Sequence, residues 1–209
     1  MAAEVLLALT QTHRSIPYSV IVNSWFDGDR EAAETFRTAL CADEAIVAGS
    51  AITAFLLNPS FQPHDVDIWS SRPFKQLEEF FDACPTMLRS RSEDYVEMSS
   101  SKCATTVVWF REYEWYGRIF QLIQVTAPTP LATILQFDLG CCQAWWMGQR
   151  RGDHCPISYN SAVFNPALRL ACVTEPYLDG YIQYRTLGRI DKYRHMRNIT
   201  LQHSLELKV

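Results

Sequence analysis

The sequence lacks any uninterrupted apolar run of the roughly 18 residues that a membrane-spanning helix requires. Its opening stretch, MAAEVLLALTQTHRSIP, has neither the basic start nor the long apolar segment of a secretory signal. Basic residues are not in excess either, since 19 Lys and Arg stand against 23 Asp and Glu, for a net charge of −4. These absences predict a cytoplasmic protein without membrane contact, and they disfavour a dedicated nucleic-acid binder.

Metal-binding cysteine motifs are missing as well. None of the seven cysteines forms a CxxC pair. Cys141 and Cys142 are adjacent, and adjacent cysteines cannot easily serve one structural zinc. His154 and Cys155 have no partner pair at ligand spacing. We therefore predict buried, reduced thiols in a reducing intracellular compartment, and zinc is disfavoured.

Apolar residues, by contrast, are abundant. Hydrophobic residues make up 48% of the 209-residue chain, which is enough for a substantial core. Repeats and low-complexity segments are absent from the sequence. This length and composition predict one domain, or one domain with a helical extension.

Hydrophobic periodicity predicts alternating helices and strands in the first part of the chain. REAAETFRTAL, after Asp29, has apolar residues at helical spacing up to about Leu40, and RPFKQLEEFFDAC is a second amphipathic helix. EAIVAGS and HDVDIWSS indicate short strands on either side of the helical AITAFLL. TTVVWFREYEWYGRIFQLIQV predicts a β-hairpin, whereas YSVIVNSWF fits either a strand or a buried helix.

The second part of the chain is predicted to be mainly helical. A Thr-Pro start at Thr129 opens TPLATILQFDLGCCQAWWM, residues 149–160 are predicted as a loop, and helices dominate the remainder. The fold class is therefore α/β (α+β). Residues 1–128 form a small mixed, twisted sheet with flanking helices, and residues 129–209 form a helical part packed on it.

One stretch, IVAGSAITAFLLNPSFQPHDVDIWSS, points to chemistry. Glycine lets the backbone approach a ligand closely, and the helix that follows Gly49 and Ser50 offers free N–H groups to phosphate. Asp65 and Asp67 share one face of a strand, with Cα atoms about 7 Å apart, so both carboxylates can reach one divalent ion. A lone Gly-Ser turn is usually only a turn, and a lone Asp-x-Asp is usually a solvated edge; their order and spacing favour function.

AGSAITAFLLNPSFQPHDVDIW resembles the active-site motif of the polymerase-β-like nucleotidyltransferase superfamily. FDLGCCQAWW is similar to the Arg-Asp-Phe-Thr-Ile-Asn-Ala motif of template-independent tRNA nucleotidyltransferases, and the resemblance covers residues 44–146, with GRIDKYRHMRN less firmly matched. It implies that Asp65 and Asp67 are catalytic and bind Mg²⁺. It further implies that four residues bind a nucleoside triphosphate: Gly49, Ser50, Asp138 and Lys192.

The sequence departs from the superfamily at the third acidic ligand. Many members carry it on the strand after the Asp-x-Asp strand, where IFQLIQV offers only Gln121 and Gln124. Glu112, Glu114 or Asp138 could substitute, and Asp138 is favoured because FDLGCCQ follows that strand by a short connection. The alternative for Asp138 is a helix N-cap or an internal salt bridge, with Arg189 or Arg197.

Two functions follow as hypotheses. The first is transfer of a nucleoside monophosphate from a triphosphate, with Mg²⁺, to a nucleic acid, a protein or a small molecule. The second is a catalytically inactive nucleotidyltransferase fold that serves as a binding, structural or assembly module, either as a homo-oligomer or with an assembly partner. The missing third carboxylate supports the second hypothesis, and the paired aspartates support the first.

Overall fold

A mixed eight-stranded sheet forms the centre of the protein. The computed structural model describes residues 11–57, 63–84, 87–91, 107–115, 117–173, 189–191, 193–194 and 199–203. The strands lie in the order β1-β8-β7-β2-β3-β6-β5-β4, and β3 and β6 are its parallel pair. Their bounds are β1 Gln11–Pro17, β2 Ile46–Ala48, β3 Asp65–Ser70, β4 Met87–Arg91, β5 Val107–Trp115, β6 Arg118–Val125, β7 Ala144–Trp146 and β8 His154–Asn160.

Helices cover both faces of this sheet. They are α1 Tyr18–Trp25, α2 Arg30–Ala42, α3 Ser50–Leu57, α4 Gln76–Ala83 and α5 Pro130–Ile134. The first four bury their apolar sides in the main core, together with Val66 and Ile68 of β3. Ile134 of α5 packs on the opposite face, against Ala48 and Trp145. Successive residues of a strand point to opposite faces, so β3 presents Val66 to the main core and its aspartates to the other face.

Most of the elements predicted before residue 129 are confirmed. Asp29 caps α2 by accepting a 2.9 Å hydrogen bond from the backbone N–H of Ala32, a role that aspartate often has at the start of a helix. The ambiguous YSVIVNSWF is a helix over Tyr18–Trp25. The hairpin joins β5 and β6 through Gly117, whose φ of +71° suits a tight turn.

A buried carboxylate fastens α4 to the end of α2. Asp43, which follows α2, is only 7% exposed. Its Oδ atoms accept backbone N–H hydrogen bonds from Lys75, Gln76 and Leu77, at 2.8 to 3.2 Å. The first N–H groups of a helix have no partner within the helix, so this carboxylate satisfies them across the core.

The expectation of a mainly helical segment over residues 129–209 is wrong for the part that the structure describes. The helix α5 has five residues, whereas β7 and β8 enter the central sheet. Three more strands, β9 Phe164–Asn165, β10 Leu170–Val173 and β11 Thr200–His203, form a second sheet. Short apolar runs such as AWW do not show whether they are helix or strand, because periodicity needs a longer window.

The predicted loop over residues 149–160 is also corrected, because β8 begins at His154. Pro156 makes this strand hard to predict, because proline is disfavoured inside sheets. In the structure β8 nevertheless pairs with both β1 and β7. The sheet is therefore larger than predicted. The mixed sheet with flanking helices, and the α+β class, are confirmed. The division at residues 128/129 stays a prediction.

The membrane and thiol predictions can be compared with the described residues only. None of the helices there is long and apolar enough to cross a bilayer. The six cysteines in this part of the chain are all free thiols, and four of them are buried. The cytoplasmic location stays a prediction.

Candidate active site

The turn between β2 and α3 lies directly beside β3. Gly49 has φ +79°, a conformation that other residues adopt at a cost, and a Cβ atom at this position would lie 3.2 Å from Oδ2 of Asp67. The N–H of Gly49 donates to the carbonyl of Ala144 at 3.3 Å. The N–H groups directed to a ligand are therefore those of the first turn of α3, from Ser50 onward, which have no partner within the helix.

The two aspartates lie together at this turn. Asp65 and Asp67 share one face of β3, and both are half-buried. The hydroxyl of Ser50 donates to Oδ1 of Asp65 at 3.3 Å, and Asp67 is next to Gly49. The structure thus brings together the four residues that the sequence pattern combines, with both carboxylates beside the start of a helix.

The neighbouring strands add glutamates to the face of the sheet that carries Asp65 and Asp67, which we call the acidic face. Asp67 is paired with Gln121 of β6, and Gln121 is paired with Glu112 of β5. Glu114 occupies the equivalent place two residues along, opposite Ile119. Paired residues point to the same face, so the glutamates lie on the face of the aspartates. The sequence offers Glu112 and Glu114 as candidates, but only the hairpin register places them.

Of the two other residues predicted to bind nucleotide, the structure describes Asp138 but not Lys192. Asp138 is buried and accepts a 2.6 Å hydrogen bond from Nη1 of Arg189, which is one of the two ion pairs expected for it. Its role in nucleotide binding stays a prediction. Lys192 lies outside the described residues.

Arg189 also contacts a buried thiol. Its Nη2 lies 3.3 Å from Sγ of Cys142, and the hydroxyl of Tyr193 lies 3.2 Å from the same sulfur. A hydrogen bond with Cys141, followed by the charge of Arg189 and the Tyr193 hydrogen bond, lowers the pKa of the Cys142 thiol to about 6, against the opposing effect of burial. The carboxylate of Asp138 and the sulfur of Cys142 therefore share the guanidinium of Arg189, which ties three segments of the chain together.

Apolar side chains cover the acidic face at the end where Trp69 lies. Trp69, two residues beyond Asp67 on β3, packs against Phe137 with ring centroids 5.3 Å apart. Leu131 and Ile134 of α5 belong to the same cluster. Asp65 and Asp67 lie nearer the other end of β3, beside the start of α3, and both are half-buried.

The donor set suits a hard divalent cation bound together with phosphate. Within the described part of the chain, no three His, Cys, Asp or Glu side chains are arranged to hold a metal ion. Two carboxylates on one strand are nevertheless what Mg²⁺ needs when substrate phosphates supply further oxygen ligands. A Cβ atom at Gly49 would lie 3.2 Å from Oδ2 of Asp67, so the turn fits tightly against this carboxylate.

Gly49→Ala tests whether the tight fit of the turn against Asp67 contributes to ligand binding, and Gly117→Ala is a matched control. Both glycines have φ above +70°, so each alanine variant should lose about 1–2 kcal/mol of unfolding free energy. A Cβ at Gly117 meets nothing within 4 Å, whereas one at Gly49 presses on Asp67. We expect only Gly49→Ala to weaken binding of Mg²⁺ with a triphosphate, measured by calorimetry. Equal binding by the two variants would show that the fit of the turn against Asp67 does not contribute to ligand binding.

The fold places the protein in a structural class. It aligns with a CCA-adding enzyme solved with CTP, at a TM-score of 0.61 and 12% identity, over 92% of this chain and 44% of the enzyme. The Thermotoga maritima CCA-adding enzyme complexed with tRNA gives a TM-score of 0.59 at the same identity and coverage. A tRNA-processing enzyme in its apo form gives 0.56 at 13% identity, over 85% of this chain and 45% of the enzyme. The protein therefore has a nucleotidyltransferase-like fold, and it spans less than half the length of these enzymes.

A match to a family model defines the relationship of this protein more narrowly than its fold does. The family model described as Gabija anti-defense 2 family protein matches residues 18–164, which is most of the 209-residue chain. The matched segment includes both aspartates and the Gly-Ser turn. The chain belongs to the Gabija anti-defense 2 family. No curated protein matches it in sequence.

Proposed function

We propose that this protein is a Mg²⁺-dependent nucleotidyltransferase that transfers a nucleoside monophosphate from a triphosphate to an acceptor. The observation that carries the proposal is the placement of Asp65 and Asp67 beside Ser50 and Gly49 at the start of α3. Carboxylates for a cation and helix N–H groups for phosphate then converge on one point. The fold shared with CCA-adding enzymes, one of them solved with CTP, supports the same reading.

Each group of the site has its own role in the proposed reaction. Asp65 and Asp67 would hold Mg²⁺, which would supply positive charge to stabilise the phosphates. The first turn of α3 and the hydroxyl of Ser50 orient the triphosphate. An acceptor hydroxyl then attacks the α-phosphate in line and loses its proton to solvent, forming a new P–O bond as the bond to pyrophosphate breaks. Fixed charges and positioning supply most of the acceleration in such reactions.

The family description connects this activity to a biological setting. Members are described as Gabija anti-defense 2 proteins, and we infer that the transferred nucleotide serves to counteract Gabija. The acceptor could be a nucleic acid, a protein or a small molecule. The net charge of −4 disfavours a long nucleic acid as the acceptor, because a polyanion is repelled by an acidic surface.

A second candidate function is a non-catalytic binding module on the same fold. The favouring observation is Gln121, because the strand beside the aspartates carries an amide at the position in register with Asp67. Under this alternative the protein would counteract Gabija by direct contact and would need no triphosphate. A fold by itself does not decide between these functions.

Ligand-dependent stability separates the two candidates. We expect Mg²⁺ with at least one of the four ribonucleoside triphosphates to raise the free energy of unfolding, by about 2.7 kcal/mol at 100 times the dissociation constant. Calorimetric melting of the full chain measures the effect. Mg²⁺ with inorganic sulfate at the same ionic strength is the control. If no triphosphate stabilises the protein, the binding module is favoured and the transferase is contradicted.

A further inference from the structure

A row of three side chains crosses the acidic face on strands β3, β6 and β5. Asp67 lies in register with Gln121, and Gln121 lies in register with Glu112. Glu112 is two strand spacings from Asp67, about 9.6 Å between Cα atoms. Gln121 therefore lies between Asp67 and Glu112 across the sheet, where it is the neighbour of both.

Glu112 determines how the amide of Gln121 is oriented. The amide nitrogen Nε2 donates a 2.9 Å hydrogen bond to Oε2 of Glu112. An ionised carboxylate only accepts hydrogen bonds, so the amide must turn its nitrogen toward Glu112. The carbonyl oxygen Oε1 is the other branch of the amide, so it is not the atom that contacts Glu112.

We propose that Glu112 is a positioning residue that makes Gln121 an oxygen ligand of the metal site, an inference that rests on the proposed function. An amide oxygen is an acceptable ligand for a hard cation beside carboxylates. Without Glu112 the amide could present its NH₂ group to the cation, and that group would repel the metal. Outer carboxylates commonly orient the inner ligands of metal sites in this way.

The exchange of a carboxylate for an amide has a consequence for the order of binding. Two aspartates and a glutamine supply two negative charges next to the ion, whereas three carboxylates would supply three. The free site therefore attracts a bare divalent cation weakly, and the phosphates of the nucleotide complete it. The cation enters as its complex with the triphosphate.

Metal binding by chosen variants tests the inference without measuring turnover. The probe is Mn²⁺, followed by electron paramagnetic resonance, alone and with a non-hydrolysable ATP analogue. Glu112→Gln should weaken binding of the Mn²⁺–analogue complex by about 10-fold, the lower end of the effect of outer-shell changes. Glu114→Gln is the matched control, because Glu114 lies on the same strand and face but opposite Ile119 instead of an amide. It should bind like the wild type.

A swap variant, Glu112→Gln with Gln121→Glu, gives the inference its sharpest test. The pair can keep its hydrogen bond in the reverse direction, and the carboxylate moves one strand closer to Asp67, by about 4.8 Å. We expect this variant to bind Mn²⁺ without nucleotide about 10-fold or more tightly than the wild type, because Coulomb attraction rises as the distance falls. Circular dichroism of each variant checks folding.

The outcomes separate this inference from the proposed function. If the wild type binds the Mn²⁺–analogue complex, and both Glu112→Gln and the swap bind as the wild type does, the positioning role is overturned and the proposed function stands. If neither the wild type nor the swap binds Mn²⁺, with or without the analogue, both fail. The inference is supported if Glu112→Gln binds the Mn²⁺–analogue complex more weakly than the wild type and the swap variant binds Mn²⁺ without nucleotide more tightly.

Discussion

Asp67→Asn is expected to lower nucleotidyl transfer by about 10³-fold without unfolding the protein. Asparagine keeps the shape of the side chain, so the strand pairing of β3 with β2 and β6 should persist. It removes one of the two charges that face the start of α3. A hard cation binds an amide oxygen more weakly than a carboxylate, so the triphosphate would lose the charge that neutralises it during attack.

The acceptor need not be known in advance to measure this effect. Each α-³²P-labelled triphosphate is incubated with the protein and with separated nucleic-acid, protein and small-molecule fractions from cells that carry Gabija. Transfer of label to one fraction identifies the class of acceptor. Glu114→Gln, on the same acidic face, should retain transfer close to the wild-type rate. Full transfer by Asp67→Asn would show that the chemistry does not run through this pair.

Asp138→Asn is expected to lower the free energy of unfolding by about 2 kcal/mol and to leave triphosphate binding intact. The carboxylate is almost fully buried, with 6% of its side chain exposed, and it holds Arg189 at 2.6 Å. Breaking a fully buried pair costs about 3–5 kcal/mol. The cost should be smaller here because Arg189 is 43% exposed and retains its contact with Cys142.

Asp153→Asn is the control for this experiment. Asp153 is 81% exposed and pairs with Arg30 at 3.1 Å, and surface pairs contribute less than about 1 kcal/mol because water screens them. Urea denaturation measures the loss of stability, and calorimetry measures binding of Mg²⁺ with triphosphate. Loss of that binding in folded Asp138→Asn would instead place Asp138 in the nucleotide site, as the sequence comparison with tRNA nucleotidyltransferases suggests.

The elements around the site were predictable because their signals are local. Alternation along a strand puts Asp65 and Asp67 on one face whatever the rest of the chain does. The amphipathic spacing of α2 and α4, and the two β-rich arms of the hairpin, are visible within windows of about 11–18 residues. The strands after residue 129 lacked such a window, since β7 has three residues and β8 contains Pro156.

Side-chain partners were predictable only as sets of alternatives. Arg189 was one of two arginines expected for Asp138, and Glu112 was one of three carboxylates offered for the missing ligand. Asp43 gave no signal, because the N–H groups that it satisfies belong to a helix that begins more than 30 residues later. Contacts of this kind depend on how elements pack, and propensity and periodicity do not report packing.

The sequence by itself determined the carboxylate pair, the Gly-Ser turn before a helix and the mixed α+β character of the protein. Each follows from backbone geometry within a few residues. The tertiary structure alone decided that the turn meets the aspartates, that Gln121 stands between Asp67 and Glu112, and that Asp138 pairs with Arg189. These contacts and strand pairings join residues 9 to 54 positions apart. They exist because strand register and the burial of both sheet faces bring distant segments together, which no local pattern specifies.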